Sequence, residues 1–256
     1  MRRIYGMGLV AVLLCGQGAI GSNDESQELS GRQIFDKMVD NYASLASYQD
    51  EGTIITTIGA TVVETEFSTR LARPDFYRIE WDQQERLPHT TEDTGMQGVW
   101  SFESGDYLQT PSGLQKQYNR DVAFANVASS SSGGVATVPQ VFFGAQGIGM
   151  TAELMDLTRL ADDKIGNIDC YRVSGDTAIG GTNVFWVGKR DFLIRQIRID
   201  VGPRAMHSAW TGVTGGQIMP PPGLYGFTSI ETYTNIVANK RFARTDFMPT
   251  FPVSGQ

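Results

Sequence analysis

The chain has 256 residues, 41% hydrophobic and 19% charged, enough for one sizeable core or two small ones and too apolar for a disordered or fibrous chain. Lys and Arg number 21 against 28 acids, a formal net charge of −7, so there is no basic footprint for a phosphate backbone and general nucleic-acid binding is excluded. With 29 Gly and 10 Pro, and with 10% aromatics, the composition favours strands and turns over helices.

The first residues read as an export signal. Met1-Arg2-Arg3 is a positive start, Ile4 to Cys15 an apolar run, and Ala19-Ile20-Gly21 a small-x-small site ahead of polar Ser22-Asn23-Asp24-Glu25. A transmembrane anchor needs about 20 apolar residues, and this run is shorter. The rival is lipid anchoring at Cys15, which bulky Leu14 directly before it disfavours. The expectation is therefore a signal peptide over 1–21, cleaved near Gly21, a flexible segment over 22–29, a single domain over 30–256 and a periplasmic location. Removing the leader takes away two Arg and no acid, leaving 235 residues with 19 cations against 28 acids, a net −9. Cys170 is then the only thiol, so no internal disulfide is available, and it reads as a structural strand residue.

Ser30-Gly31-Arg32-Gln33 is a capping box, which predicts a helix from Ser30. Ile34, Met38, Tyr42 and Leu45, widened by Phe35 and Val39, form its apolar stripe, and Tyr48 to Gly52 ends it. From Gly52 the period changes to two. Thr53 to Thr57, Thr61 to Leu71, Phe76 to Trp81, Gly98 to Glu103 and Tyr107 to Thr110 read as an antiparallel meander. On Phe76 to Trp81 the pleat sets Tyr77, Ile79 and Trp81 on one face, expected buried, and Arg78 and Glu80 on the other, expected wet. Ser129 to Gly134 reads as a flexible link, and Leu154, Leu157 and Leu160 at spacing three predict a second helix over Thr151 to Leu160. Strands resume at Asp169 to Ser174, Asn183 to Gly188, Phe192 to Asp200, Thr228 to Ala238 and Asp246 to Thr250, with Lys189-Arg190-Asp191 as a hairpin turn and a long loop around Gly215 to Gly223.

Motifs for catalysis are missing. Two His, one mature Cys and no Cys-x-x-Cys or His-x-x-x-His give no zinc site, so no metal and no cofactor are expected. There is no Gly-x-Ser-x-Gly elbow, and Gly144 to Gly149 lacks the phosphate-cradling patterns. Glu80, Glu92, Asp93 and Glu231 show no pairing that predicts glycoside cleavage and read as solvated acids. Arg78 with Glu80, and Arg195 with Arg198, read as charge partners on a wet face. The surplus is aromatic and apolar: each such residue fits a sheet core, and together Tyr77, Ile79, Trp81, Trp100, Phe102 and Trp186 could line an apolar cavity, with Phe142 and Phe143 as a lid.

The order of export signal, amphipathic helix ending in Tyr42 to Gly52, and Arg73-Pro74-Asp75-Phe76-Tyr77-Arg78-Ile79-Glu80-Trp81 resembles the periplasmic outer-membrane lipoprotein-sorting group, the LolA/LolB-like superfamily. Ile168 to Val173, Phe185 to Arg195, Glu231 to Ile236 and the tail from Asn239 to Pro249 look like its middle hairpin, late strand and closing strand. The resemblance implies a mainly β (α+β) fold: a strongly curved antiparallel sheet, an unclosed half-barrel, whose concave face is covered by the N-terminal helix and a second helix or loop lid. It also implies a non-enzymatic protein that holds a lipid or a lipoprotein acyl chain and touches membranes at most transiently. The alternatives are an envelope sensor that binds a protein partner through the same fold and, third, a carbohydrate or ester hydrolase.

Overall fold

A computed structural model describes residues 28–102, 105–131, 134–144, 154–177, 180–207 and 225–252. The expected signal peptide with Cys15, the loop around Gly215 to Gly223, and residues 145–153 lie outside the described residues.

Helix α1 (Gly31–Ser44) begins where the capping box puts it: Ser30 Oγ accepts from the Gln33 amide at 3.2 Å and Gln33 Oε1 accepts from the Ser30 amide at 2.9 Å. Its buried side is Ile34, Phe35, Met38 and Tyr42. Seven strands follow, β1 (Ser47–Ile58), β2 (Thr61–Ala72), β3 (Phe76–Arg86), β4 (Thr91–Asp93), β5 (Gln97–Phe102), β6 (Gly105–Thr110) and β7 (Gly113–Gln117). Then come helices α2 (Arg120–Ser130) and α3 (Thr137–Phe143), and strands β8 (Met155–Ile165), β9 (Ile168–Asp176), β10 (Thr182–Gly188), β11 (Ile194–Val201) and β12 (Phe227–Ala238).

The strands form one antiparallel sheet in the order β7-β6-β5-β3-β2-β1-β12-β11-β10-β9-β8, with β4 paired beside β3. The first and last strands, β1 and β12, pair in the middle, and β7 and β8 end the sheet without meeting each other, so the barrel is unclosed. The helices lie across one face: α1 on β8 and β9, α2 on β5 to β7, and α3 against α1 and β2. Gly31 is required at the first of these contacts, because a Cβ there would stand 2.8 Å from the Leu157 carbonyl oxygen of β8. The architecture is the expected mainly β one, an unclosed antiparallel half-barrel with helices over one face.

Four expectations are corrected. The segment with leucines at spacing three is the edge strand β8: two register shifts along its pairing with β9 break the regular alternation and imitate a helical spacing. The region read as a link holds the end of α2, closed by the Ser131 amide on the Val127 carbonyl, and Gly134 is packed so tightly that a Cβ would meet Ile54 Cδ1 at 2.5 Å. Strand β1 starts at Ser47, separated from the end of α1 by two residues, rather than at Thr53. Residues Arg244–Phe247 form a 3-10 helix rather than a strand, and the chain after it crosses the outer face of the sheet.

Candidate functional site

Pairing register decides which residues share a face. Tyr48, Asp50, Gly52 and Ile54 of β1 stand opposite Leu71, Thr69, Phe67 and Thr65 of β2, and these opposite Tyr77, Ile79, Trp81 and Gln83 of β3. This is the inner face, under the helices: Tyr77 meets Phe124 of α2 and Phe143 of α3 at ring-centroid separations of 5.0 and 6.4 Å. Tyr77, Ile79 and Trp81 are fully buried there.

Trp100, Phe102 and Trp186 are on the other face, which corrects the expectation that six residues line one wall. Trp100 pairs with Arg78 of β3, so it follows the parity of Arg78 and points outward, where it stacks on Tyr107 and meets Phe251 of the C-terminal tail. Phe102 is two residues further along the same parity. Trp186 pairs with Gln196 and Arg172, opposite in sense to the inward Phe185, and its indole donates to Asp163 Oδ2 at 3.1 Å. Short meander strands each alternate correctly in the sequence, but the sequence carries no phase between them.

The outer face is not wet where the tail lies on it. Arg78 and Glu80 are each 5% exposed. Arg78 donates to the Met248 carbonyl at 2.9 Å, and the Glu80 carboxylate accepts from the Thr250 amide and hydroxyl at 2.5 and 2.9 Å. Phe251 presses on Gly98, where a Cβ would stand 2.8 Å from its ring. Beside the tail, Glu51, Glu66, Glu80, Asp82 and Met96 line a cleft of about 450 Å³.

The inner face holds carboxyls that sequence reasoning took as solvated or passed over. Glu231 is fully buried and accepts from the Tyr233 hydroxyl at 2.5 Å, and Asp50, 1% exposed, accepts from the Tyr48 hydroxyl at 2.8 Å. Burial pushes both carboxyls up to about 7. The Tyr48 and Tyr233 phenols are pushed well above their usual value by burial and then by the adjoining carboxylate. The available signal was a carboxylate and a tyrosine two residues apart on strands Tyr48-Gln49-Asp50 and Glu231-Thr232-Tyr233, a spacing that places both on one face. Glu92 and Asp93 are exposed, as read. Three further inner-face atoms, Thr65 Oγ1, Trp81 Nε1 and Gln83 Oε1, have no hydrogen-bond partner among the described residues.

Phe142 and Phe143 end α3. Phe142 is fully buried, so it is a plug in the core rather than an exposed lid; Phe143 is partly buried. Arg73 holds this end: its guanidinium donates to the Phe142 carbonyl at 2.5 Å and lies 4.7 Å from the centre of the Phe142 ring. Arg120 covers the Phe143 ring at 4.5 Å. The start of α3 has no side-chain cap. Cys170 is buried and its thiol is raised by burial, as befits a structural residue. Among the described residues no group of three or more His, Cys, Asp or Glu side chains is placed to hold a metal ion.

No protein-family model matches the chain, and no curated protein does. Among solved structures it is similar to LprF from Mycobacterium bovis, at 9% identity over 83% of this chain and 94% of that one, with a TM-score of 0.47. It is similar to the lipoprotein LppX of Mycobacterium tuberculosis, at 10% identity over 82% and 95%, with a TM-score of 0.42. A LolA superfamily protein from Nitrosomonas europaea is similar at 11% identity over 87% and 99%, with a TM-score of 0.26.

Proposed function

We propose that the protein is exported to the periplasm and is a non-enzymatic binding protein that takes an amphiphile, a lipid or the acyl chain of a lipoprotein, against the inner face of its half-barrel. The observation that carries this reading is helix α3. Val138, Val141 and Phe142 are buried apolar side chains on a seven-residue helix that has no side-chain cap at its start and is held at its end by Arg73. An acyl chain that displaces them replaces apolar burial by apolar burial, at about 25 cal/mol per Å² on either side of the exchange, so uptake needs little net free energy. The wall behind α3 would be Tyr77, Ile79 and Trp81, with Phe142 and Phe143 as the moving cover. The unpartnered Thr65, Trp81 and Gln83 atoms on the same wall favour a ligand with a polar group over a plain hydrocarbon.

The test is retention of a fluorescent fatty acyl probe by the exported chain, with native mass spectrometry for stoichiometry. The expected result is one probe per chain, a several-fold weaker retention in Trp81→Phe, and unchanged retention in Trp100→Phe on the opposite face. No uptake by the unaltered chain, or equal effects of the two substitutions, would overturn the reading; capture of a protein partner by an empty chain would favour the sensor alternative.

A further inference from the structure

A second cavity, of about 560 Å³, lies far along the sheet from the α3 wall, between the β8–β9 and β10–β11 turns, and is lined by Asn167, Ile168, Asp169, Lys189, Arg190, Asp191 and Arg195. Three cations face two carboxylates there, in a chain whose overall charge is −7. The carboxylates are engaged. Asp191 takes Arg195 Nη2 on one oxygen and the Leu193 amide, at 3.1 Å, on the other, and Asp169 pairs with Lys164 at 3.0 Å. Lys189 is turned to Asp162 at 2.5 Å.

The guanidiniums keep donors in reserve. Arg195 is only 7% exposed, yet its Nε has no acceptor among the described residues, and its Nη1 has only a long 3.5 Å contact to the Ile194 carbonyl. Holding the turn through Asp191 accounts for Nη2 and leaves Nε unexplained, although a buried charged donor without an acceptor is strongly disfavoured. Arg190, on the turn itself, is exposed and makes no ion pair among the described residues. The Asp191–Arg195 pair lies against the bare backbone of Gly188. A Cβ on Gly188 would stand 2.5 Å from Asp191 Oδ1 and 3.4 Å from Arg195 Nη2, so only glycine leaves the pair where it is.

We propose that this cavity binds a phosphoryl oxyanion between Arg190 and Arg195. Planar guanidinium donors match the oxygens of a phosphoryl group, and each hydrogen bond to it is charge-assisted. The phosphoryl group belongs either to a free anion or to a phospholipid headgroup, and the site stands independently of the α3 wall.

The experiment is calorimetric titration of the full chain with inorganic phosphate and, separately, with phosphatidylcholine vesicles with and without phosphatidylglycerol, at low and at physiological salt. Arg190→Gln removes an exposed side chain without an ion pair, so the fold is retained; Arg195→Lys serves as a second variant. Arg32→Gln, on the exposed side of α1, makes the same change in net charge away from the cavity. The expected result is binding that weakens about tenfold in Arg190→Gln and not in Arg32→Gln, and that falls with salt. Binding of phosphate alone would assign a free anion, and binding only to phosphatidylglycerol vesicles with the same Arg190 dependence would assign a headgroup. No binding of either probe, or equal losses in Arg190→Gln and Arg32→Gln, would overturn the proposal.

Discussion

On β3, Tyr77, Ile79 and Trp81 point to one face of the sheet and Arg78 and Glu80 to the other, and all five are 5% exposed or less. Their covers differ. The inner face lies under three helices, and its Asp50 and Glu231 carboxylates each take a local partner, the hydroxyl of a tyrosine two residues away. The outer face lies under the C-terminal tail, and its polar groups are satisfied by that tail's backbone, Arg78 by Met248 and Glu80 by Thr250. Alternation along a strand thus reports which residues share a face, and nothing in it reports whether a face is wet.

The largest effect should come from breaking the outer cover. Glu80→Gln keeps the shape and still offers a carbonyl oxygen to the Thr250 N–H, but it removes the negative charge and leaves Arg78 without its ion-pair partner at 3.5 Å. A loss of about 3 kcal/mol is expected by urea unfolding, with probe retention on the inner face unchanged in the folded fraction. A loss below about 1 kcal/mol would mean that the tail does not desolvate this pair.

The inner face should show itself through pH. Asp50 and Glu231 have folded values of about 7 against ordinary values of 3.8 and 4.5, because burial disfavours the charged form. Between about pH 4 and 7 the folded chain therefore holds protons that the unfolded chain has released. Stability is full below the unfolded values and declines as pH rises through this window, by at most about 1.4 kcal/mol per pH unit for each group. Unfolding midpoints should be higher at pH 5 than at pH 7, and Asp50→Asn or Glu231→Gln should each flatten the slope. Asp200, held below the usual range chiefly by Arg198, works in the opposite direction at lower pH. A midpoint that does not change between pH 5 and 7 would contradict the burial of both carboxyls.

The smallest effect marks the limit of the tail's cover. Ile55 is on the same outer parity of β1 but beyond the tail, and is 45% exposed. Ile55→Thr should change stability by no more than about 0.5 kcal/mol in the same unfolding assay, in contrast to Glu80→Gln.

How far the sequence was legible varied with the range of the interaction. The start of α1 was readable because a capping box is complete within four residues, and β2, β9 and β10 because alternation is local. Leu154, Leu157 and Leu160 misled because bulges in an edge strand shift parity, which only the pairing partner β9 reveals. Trp81 and Trp100 looked alike as candidates for one wall and are separated by the pairing of Arg78 with Trp100. The Arg195 cavity had no local signature beyond the Lys189 to Asp191 turn, since it is assembled from two hairpins.

By itself the amino-acid sequence determined the helix start, most strands and the absence of a basic nucleic-acid footprint, because composition, caps and period-two patterns act within a few residues; the half-barrel class came only from the family resemblance. Tertiary structure alone decided which aromatic residues share a wall, that Asp50 and Glu231 are buried, that the tail dries Arg78 and Glu80, and that Arg190 and Arg195 face one cavity. Each of these depends on the relative phase of separate strands or on a segment distant in sequence, and side-chain direction reverses with a single-residue shift in register.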